Sequence, residues 1–180
     1  GAVLNSYTMC LLLGATGVGK TLLLKRLQNI LYQRDGADLG EPPVTLPTVG
    51  TNLTDLTLRK RRVTVRELGG CMGPIWPSYF IDCTSVIFMV DSANITQVSS
   101  SCIQLLSVLA AEPLQTASVL VLFNKRDLPC TMSLGEMKSL FRMDDIIASA
   151  PQSITTLELS ARSGEGLQEV LTWLDSTQPD

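Results

Sequence analysis

The sequence predicts an α/β domain in which a mostly parallel sheet of about six strands, one of them antiparallel, is flanked by about five helices. Three observations carry this reading. Apolar segments of strand length alternate with segments of helical period. A glycine-rich turn joins the first strand to the first helix. No linker, repeat or low-complexity tract interrupts the 180 residues, about the length of one ordinary domain.

Taken in order, Tyr7 to Leu13 reads as a buried strand, and Lys20 to Tyr32 as an amphipathic helix with Leu22, Leu23, Leu27, Ile30 and Leu31 turned inward. Asp35 to Gly50 carries Gly36, Gly40, Pro42, Pro43, Pro47 and Gly50 and is expected to be a long functional loop. Asn52 to Leu58 and Val63 to Leu68 alternate apolar and polar residues around Arg59-Lys60-Arg61-Arg62, the pattern of a hairpin and the source of the one antiparallel strand. Gly69 to Pro77 is expected to be irregular. A buried strand at Ser85 to Asp91 follows, then a helix from about Thr96 to Ala111, a strand at Ser118 to Phe123 and a helix near Ser133 to Phe141. A strand at Ile154 to Leu159 and a helix at Gly166 to Ser176 complete one domain, about residues 8–176.

Composition narrows the chemistry. There is no histidine, so a Ser-His or Cys-His nucleophile pair and a His-ligated metal are excluded, along with the one side chain that ordinarily titrates near neutrality. Any reaction must use backbone amides, Lys, Arg, carboxylates, hydroxyls or a bound cation. Charged residues are 17%, against roughly 25% in average domains, which leaves uncharged surface for a partner. With a net charge of −3 and no long basic stripe, nucleic acid is not expected as a ligand. Cys10, Cys71, Cys83, Cys102 and Cys130 are odd in number and form no CxxC pair, so reduced thiols in a cytoplasmic, monomeric protein are expected.

Gly14-Ala15-Thr16-Gly17-Val18-Gly19-Lys20-Thr21 fits the phosphate-loop pattern GxxxxGK(S/T) in the strand-to-helix context that the pattern requires. Glycines let successive backbone N–H groups turn toward one anionic centre, and the positive end of the following helix adds to them. Lys20 would reach the β- and γ-phosphates of a nucleotide, and the Thr21 hydroxyl would bind Mg²⁺.

Asn124-Lys125-Arg126-Asp127 leaves a buried strand at its carboxyl end, where open α/β sheets hold ligands. A carboxylate at Asp127 can accept from guanine N1–H and the exocyclic amine, a donor pair that adenine lacks. The Lys125 stem can cover one face of the base, and Asn124 can brace the loop. Ser160-Ala161-Arg162 follows the last strand, where the Ala161 amide could donate to guanine O6.

Together these residues resemble the Ras-like small GTPases with their P-loop NTPase fold, and more closely the ADP-ribosylation-factor-like (Arf-like) branch. Pro47-Thr48-Val49-Gly50 is similar to that branch's switch I, and Arg66-Glu67-Leu68-Gly69-Gly70 stands where its Trp-Asp-x-Gly-Gly lies; Pro74-Ile75-Trp76 looks like the start of its switch II helix. The resemblance implies a molecular switch that binds GTP or GDP with Mg²⁺ and meets effectors in one nucleotide state, served by an exchange factor and a GTPase-activating protein. By the same resemblance Thr48 would ligate Mg²⁺ and sense the γ-phosphate, the Gly70 amide would bind that phosphate, and Glu67 would reach the metal indirectly, through water.

Three departures fall on the hydrolytic machinery. Cys71 occupies the place where the family usually has the Gln that orients attacking water, Thr16 sets a branched side chain beside the γ-phosphate, and Glu67 replaces an Asp. Tight binding with slow hydrolysis is therefore expected; a GTP-locked scaffold that does not usefully hydrolyse is the alternative.

Membrane contact is expected to be peripheral at most. No apolar run approaches the roughly 18 residues of a membrane span. The stretch before the first strand is too short for an amphipathic anchor helix, Asn5 breaks the myristoylation pattern, and the final Thr177-Gln178-Pro179-Asp180 carries no prenylation motif. Arg59-Lys60-Arg61-Arg62 is either a solvated hairpin turn or a contact to an acidic surface.

Overall fold

The computed structural model describes residues 8–34, 51–125, 131–160 and 162–176. Six strands form one sheet in the order β2-β3-β1-β4-β5-β6. They are β1 (Thr8–Gly14), β2 (Thr51–Thr57), β3 (Arg62–Leu68), β4 (Ser85–Asp91), β5 (Ser118–Asn124) and β6 (Ser153–Leu159). Only β2 runs antiparallel, paired to β3 with Thr51 opposite Leu68 and Thr57 opposite Arg62. Every other neighbouring pair is parallel. The expected hairpin is thus present, its turn closed by Leu58 N–H donating to Arg61 O at 2.8 Å.

The five α-helices among the described residues are α1 (Lys20–Arg34), α2 (Val98–Ala110), α3 (Leu134–Phe141), α4 (Met143–Ser149) and α5 (Leu167–Ser176). Strands β1, β4 and β5 are buried on both faces, and their period of two sorts the core. Cys10 and Leu12 of β1 join Ile87, Met89, Leu120 and Leu122 beneath α1 and α5. Leu11 and Leu13 join Phe88, Val121 and Phe123 on the opposite face, beneath α2, α3 and α4. On α1, Leu23, Leu24 and Leu27 are buried, while Leu22, Ile30 and Leu31 pack half-buried at the margin of that core.

Three details differ from the sequence expectation. Gly69 to Pro77, expected from its composition to be irregular, lies almost wholly in a 3-10 helix at Gly70–Tyr79, which contains Pro74 and Pro77 and includes the Pro74-Ile75-Trp76 stretch that the resemblance reads as a helix start. The prolines remove N–H donors that an α-helix would need, and the short 3-10 form tolerates their loss. The segment after β4 opens with a 3-10 turn at Ile95–Gln97 before α2. Finally, α4 is an additional helix: Arg142 adopts φ 53°, ψ 50° and ends α3, and a new helix starts at the next residue. The start of α3 follows its sequence signal, because Ser133 and Glu136 form a reciprocal capping box. The expected loop at Asp35 to Gly50 lies outside the described residues.

Candidate nucleotide-binding site

The carboxyl ends of β1, β4, β5 and β6 converge where the chain order around β1 reverses, and the sequence-predicted residues gather there. The turn from β1 into α1 is held by glycines at φ +149° (Gly14), +82° (Gly17) and +105° (Gly19). Two of them also face steric limits. A Cβ on Gly14 would stand 2.6 Å from Met89 O, and one on Gly19 would stand 2.7 Å from Asn124 Nδ2. The loop therefore wraps tightly over the end of β4 while Thr16 and Gly17 remain exposed.

Lys20 is 5% exposed. Its ammonium donates to Gly14 O at 2.7 Å and Ala15 O at 2.8 Å, so the lysine bridges the loop that precedes it. Burial pushes its pKa down to about 8, opposed by the Glu67 carboxylate and, to a smaller extent, by Cys71. The next residue, Thr21, donates its hydroxyl directly to Glu67 Oε1 at the end of β3. Lys20, the Thr21 hydroxyl and the Glu67 carboxylate thus form one cluster.

Gly70 closes the cluster from the side of the 3-10 helix. A side chain there would overlap the Thr16 backbone and come within 2.6 Å of Thr16 Oγ1. Trp76, buried at 3% exposure, donates its indole N–H to Gly69 O at 3.1 Å and pins the segment's entry. Cys71, beside Gly70, is a free and exposed thiol.

On the base side, Asn124 braces as expected: its Nδ2 donates to Val18 O at 2.8 Å and ties the end of β5 to the phosphate loop. Lys125 N donates to Leu159 O at 2.7 Å, which joins the ends of β5 and β6. The Lys125 ammonium lies 3.8 Å from Glu165 Oε2, both side chains largely in solvent. Ser160 is buried; its N–H donates to Glu165 O at 2.8 Å and its hydroxyl accepts from Ser163 N at 3.2 Å. Thr48, Asp127 and Ala161 lie outside the described residues, as does the Pro47 to Gly50 motif.

One contributor escaped the sequence reading. Arg26 is 4% exposed and donates through Nη2 to Arg162 O at 2.6 Å, so α1 itself supports the loop after β6. Its signal was available: a charged residue between Leu23 and Leu27 on the apolar stripe of α1 needs an internal acceptor.

Against this geometry, the sequence pattern of the ADP-ribosylation factor family matches residues 3–178. The chain belongs to the ADP-ribosylation factor family. Human ADP-ribosylation factor-like protein 16 is 63% identical over 171 residues, spanning 95% of this chain and 86% of that protein. ADP-ribosylation factor-like protein 1 of Saccharomyces cerevisiae is 34% identical over 172 residues, 94% of this chain and 87% of the relative. In fold, the chain matches the structure of the Arl6 BBS3 small GTPase from Trypanosoma brucei with bound nucleotide analogue GppNp. The TM-score is 0.79 over 96% of this chain and 97% of that one, at 19% identity. The expected Ras-like fold and Arf-like membership both hold.

Proposed function

We propose that this family member is a guanine-nucleotide switch that binds GTP and GDP with Mg²⁺ in the cytoplasm, hydrolyses GTP slowly and engages effectors in one nucleotide state. The observation that carries the reading is the bond from Asn124 Nδ2 to Val18 O, which ties the end of the base-reading strand to the loop that would cradle phosphate.

Gly14 to Thr21 would surround the phosphates, with Lys20 neutralising charge on the β- and γ-phosphates. Lys125 would cover the base, Asp127 would read its N1–H and amine, and Ser160, Ala161 and Arg162 would complete the base wall. The hard oxygens of Thr21 and Glu67, already in contact, fit a magnesium site, which Thr48 would complete from its loop. Thr21, Thr48 and Glu67 would hold a Mg²⁺ ion, which when bound would supply charge neutralisation for the phosphates. The Gly70 amide would bind the γ-phosphate, and loss of that phosphate would release the 3-10 segment from Thr16.

Cys71 cannot both donate to and accept from an attacking water in the way Gln does, so positioning is lost while binding is kept. The exposed Cys71 and the branched Thr16 also favour the second reading, a GTP-locked scaffold.

Fluorescent GDP, GTP and ADP titrated against the purified chain, followed by single-turnover hydrolysis, provide the test. Guanine nucleotides are expected to bind and ADP not to; equal binding of ADP would sink the guanine reading. Purified protein carrying mostly GTP, with no turnover, would select the scaffold over the switch. Nucleotide-dependent partners are sought by comparing wild type with Thr21→Asn in a GTP-dependent pulldown.

A further inference from the structure

We propose that Glu67 is a direct ligand of the nucleotide-associated divalent cation, standing beside Thr21 in its coordination shell where a water would otherwise sit. The assignment deepens the guanine-nucleotide reading and rests on it.

The first observation is contact. Thr21 Oγ1 donates straight to Glu67 Oε1, with no space for a water between the two oxygens. Adjacent corners of an octahedral magnesium shell, with bonds of 2.0–2.1 Å, lie about 2.9 Å apart, so two oxygens in direct contact would take neighbouring corners by moving slightly apart. A cation held by Thr21 therefore has this carboxylate oxygen beside it as a neighbouring donor.

The second observation is restraint. Glu67 sits one residue from the end of β3, aligned with Leu12 of β1 on one side and Asn52 of β2 on the other. It is 2% exposed. Its backbone is fixed in the middle of three strands, so side-chain length decides how far the carboxylate reaches. An aspartate, shorter by one carbon–carbon bond of about 1.5 Å, would leave a gap that water fills. The glutamate spans it.

The third observation is charge. Glu67 acts electrostatically on the neighbouring Lys20, so it shares the pocket of the phosphate-binding lysine. Among the described residues no set of three acidic, Cys or His side chains converges to hold a metal, so Glu67 would act beside hydroxyl, phosphate and water oxygens. An anionic inner donor would tighten the cation, remove one exchangeable water and slow nucleotide release.

The test uses the full chain loaded with GDP and Mn²⁺ as the paramagnetic probe. Waters on the bound ion are counted by electron paramagnetic resonance in ¹⁷O-enriched water, for wild type, Glu67→Asp and Glu67→Gln, with GDP content confirmed by chromatography. Wild type is expected to hold one water fewer than Glu67→Asp, and Glu67→Gln to bind Mn²⁺ about tenfold more weakly or worse. Equal water counts in wild type and Glu67→Asp would overturn the assignment. Where Glu67→Asp fails to retain GDP, the Mn²⁺ affinity of Glu67→Gln decides, and an unchanged value overturns it. A wild type that holds GDP and Mn²⁺ with an unaltered water count rejects direct ligation alone; a wild type that holds no guanine nucleotide rejects the proposed function as well.

Discussion

Lys20 buries an ammonium group against the carbonyls of Gly14 and Ala15, and that burial sets its proton affinity. Burial pushes its pKa down to about 8, whereas that of an ordinary lysine lies near 10.5. Between those values the unfolded chain binds more protons, so this group adds stability to the fold as pH rises. Phosphate favours the charged form, so GDP affinity is expected to fall as pH climbs from 8 toward 10; titration calorimetry showing affinity constant or rising would contradict the lysine's role. Gly19 makes a steric prediction. Its φ of +105° and the 2.7 Å approach to Asn124 Nδ2 leave no room for a methyl, so Gly19→Ala is expected to weaken GDP binding at least tenfold. Circular dichroism should stay native, because the strain is local. At Cys71, restoring the amide with Cys71→Gln is expected to raise single-turnover GTP hydrolysis by about tenfold or more with GDP affinity unchanged; an unchanged rate would move the defect to Thr16.

Among the elements, the 3-10 helix from Gly70 to Tyr79 is held by the Trp76 indole on Gly69 O, by Arg66 stacked 5.2 Å from the Tyr79 ring, by Gly70 against Thr16, and by Met72, Trp76 and Tyr79 packed on the core. Trp76→Phe removes the donor while keeping an aromatic body, and about 1–2 kcal/mol of stability is expected to go with it, measured by urea unfolding. How much of the architecture was legible follows from the same physics. Strands β1, β4 and β5 announced themselves because burial on both faces leaves continuous apolar runs. The 3-10 helix did not, since two prolines and two glycines hide its period. Nor did α4, because it is only seven residues long and follows α3 directly through a left-handed Arg142, with no turn residues to mark its start. In the site, a motif named Lys20 and Thr21, and a strand exit named Asn124. The burial of Arg26 was legible from its place on the apolar stripe of α1, but its acceptor, 136 residues away in the chain, was not. The basic run proved to include the hairpin turn, and Lys60 N–H reaches Asp175 Oδ1 on α5 at 3.3 Å.

At the scale of the molecule, two cores share one sheet, with residues of β1 alternating between them. Ligand that binds only the folded state adds stability by mass action. At a hundredfold excess over Kd that is about 2.7 kcal/mol. In a chain this long each kcal/mol shifts the midpoint by roughly 2–4 °C. GDP with Mg²⁺ is therefore expected to raise Tm by roughly 5–11 °C in differential scanning fluorimetry, and ADP to leave it unchanged; equal shifts would remove the base selectivity assigned to the Asn124 to Asp127 loop.

The bond between Asn124 and Val18 also bears on how ligand halves cooperate. Because the end of β5 grips the Gly14 to Thr21 loop through this bond, the two halves of the proposed site hold a common register. A nucleotide would then behave as a chelator: once one end is seated, the other would meet its subsite at high effective concentration. Guanosine or pyrophosphate alone would gain no such advantage, and each is expected to bind more weakly than the joined molecule.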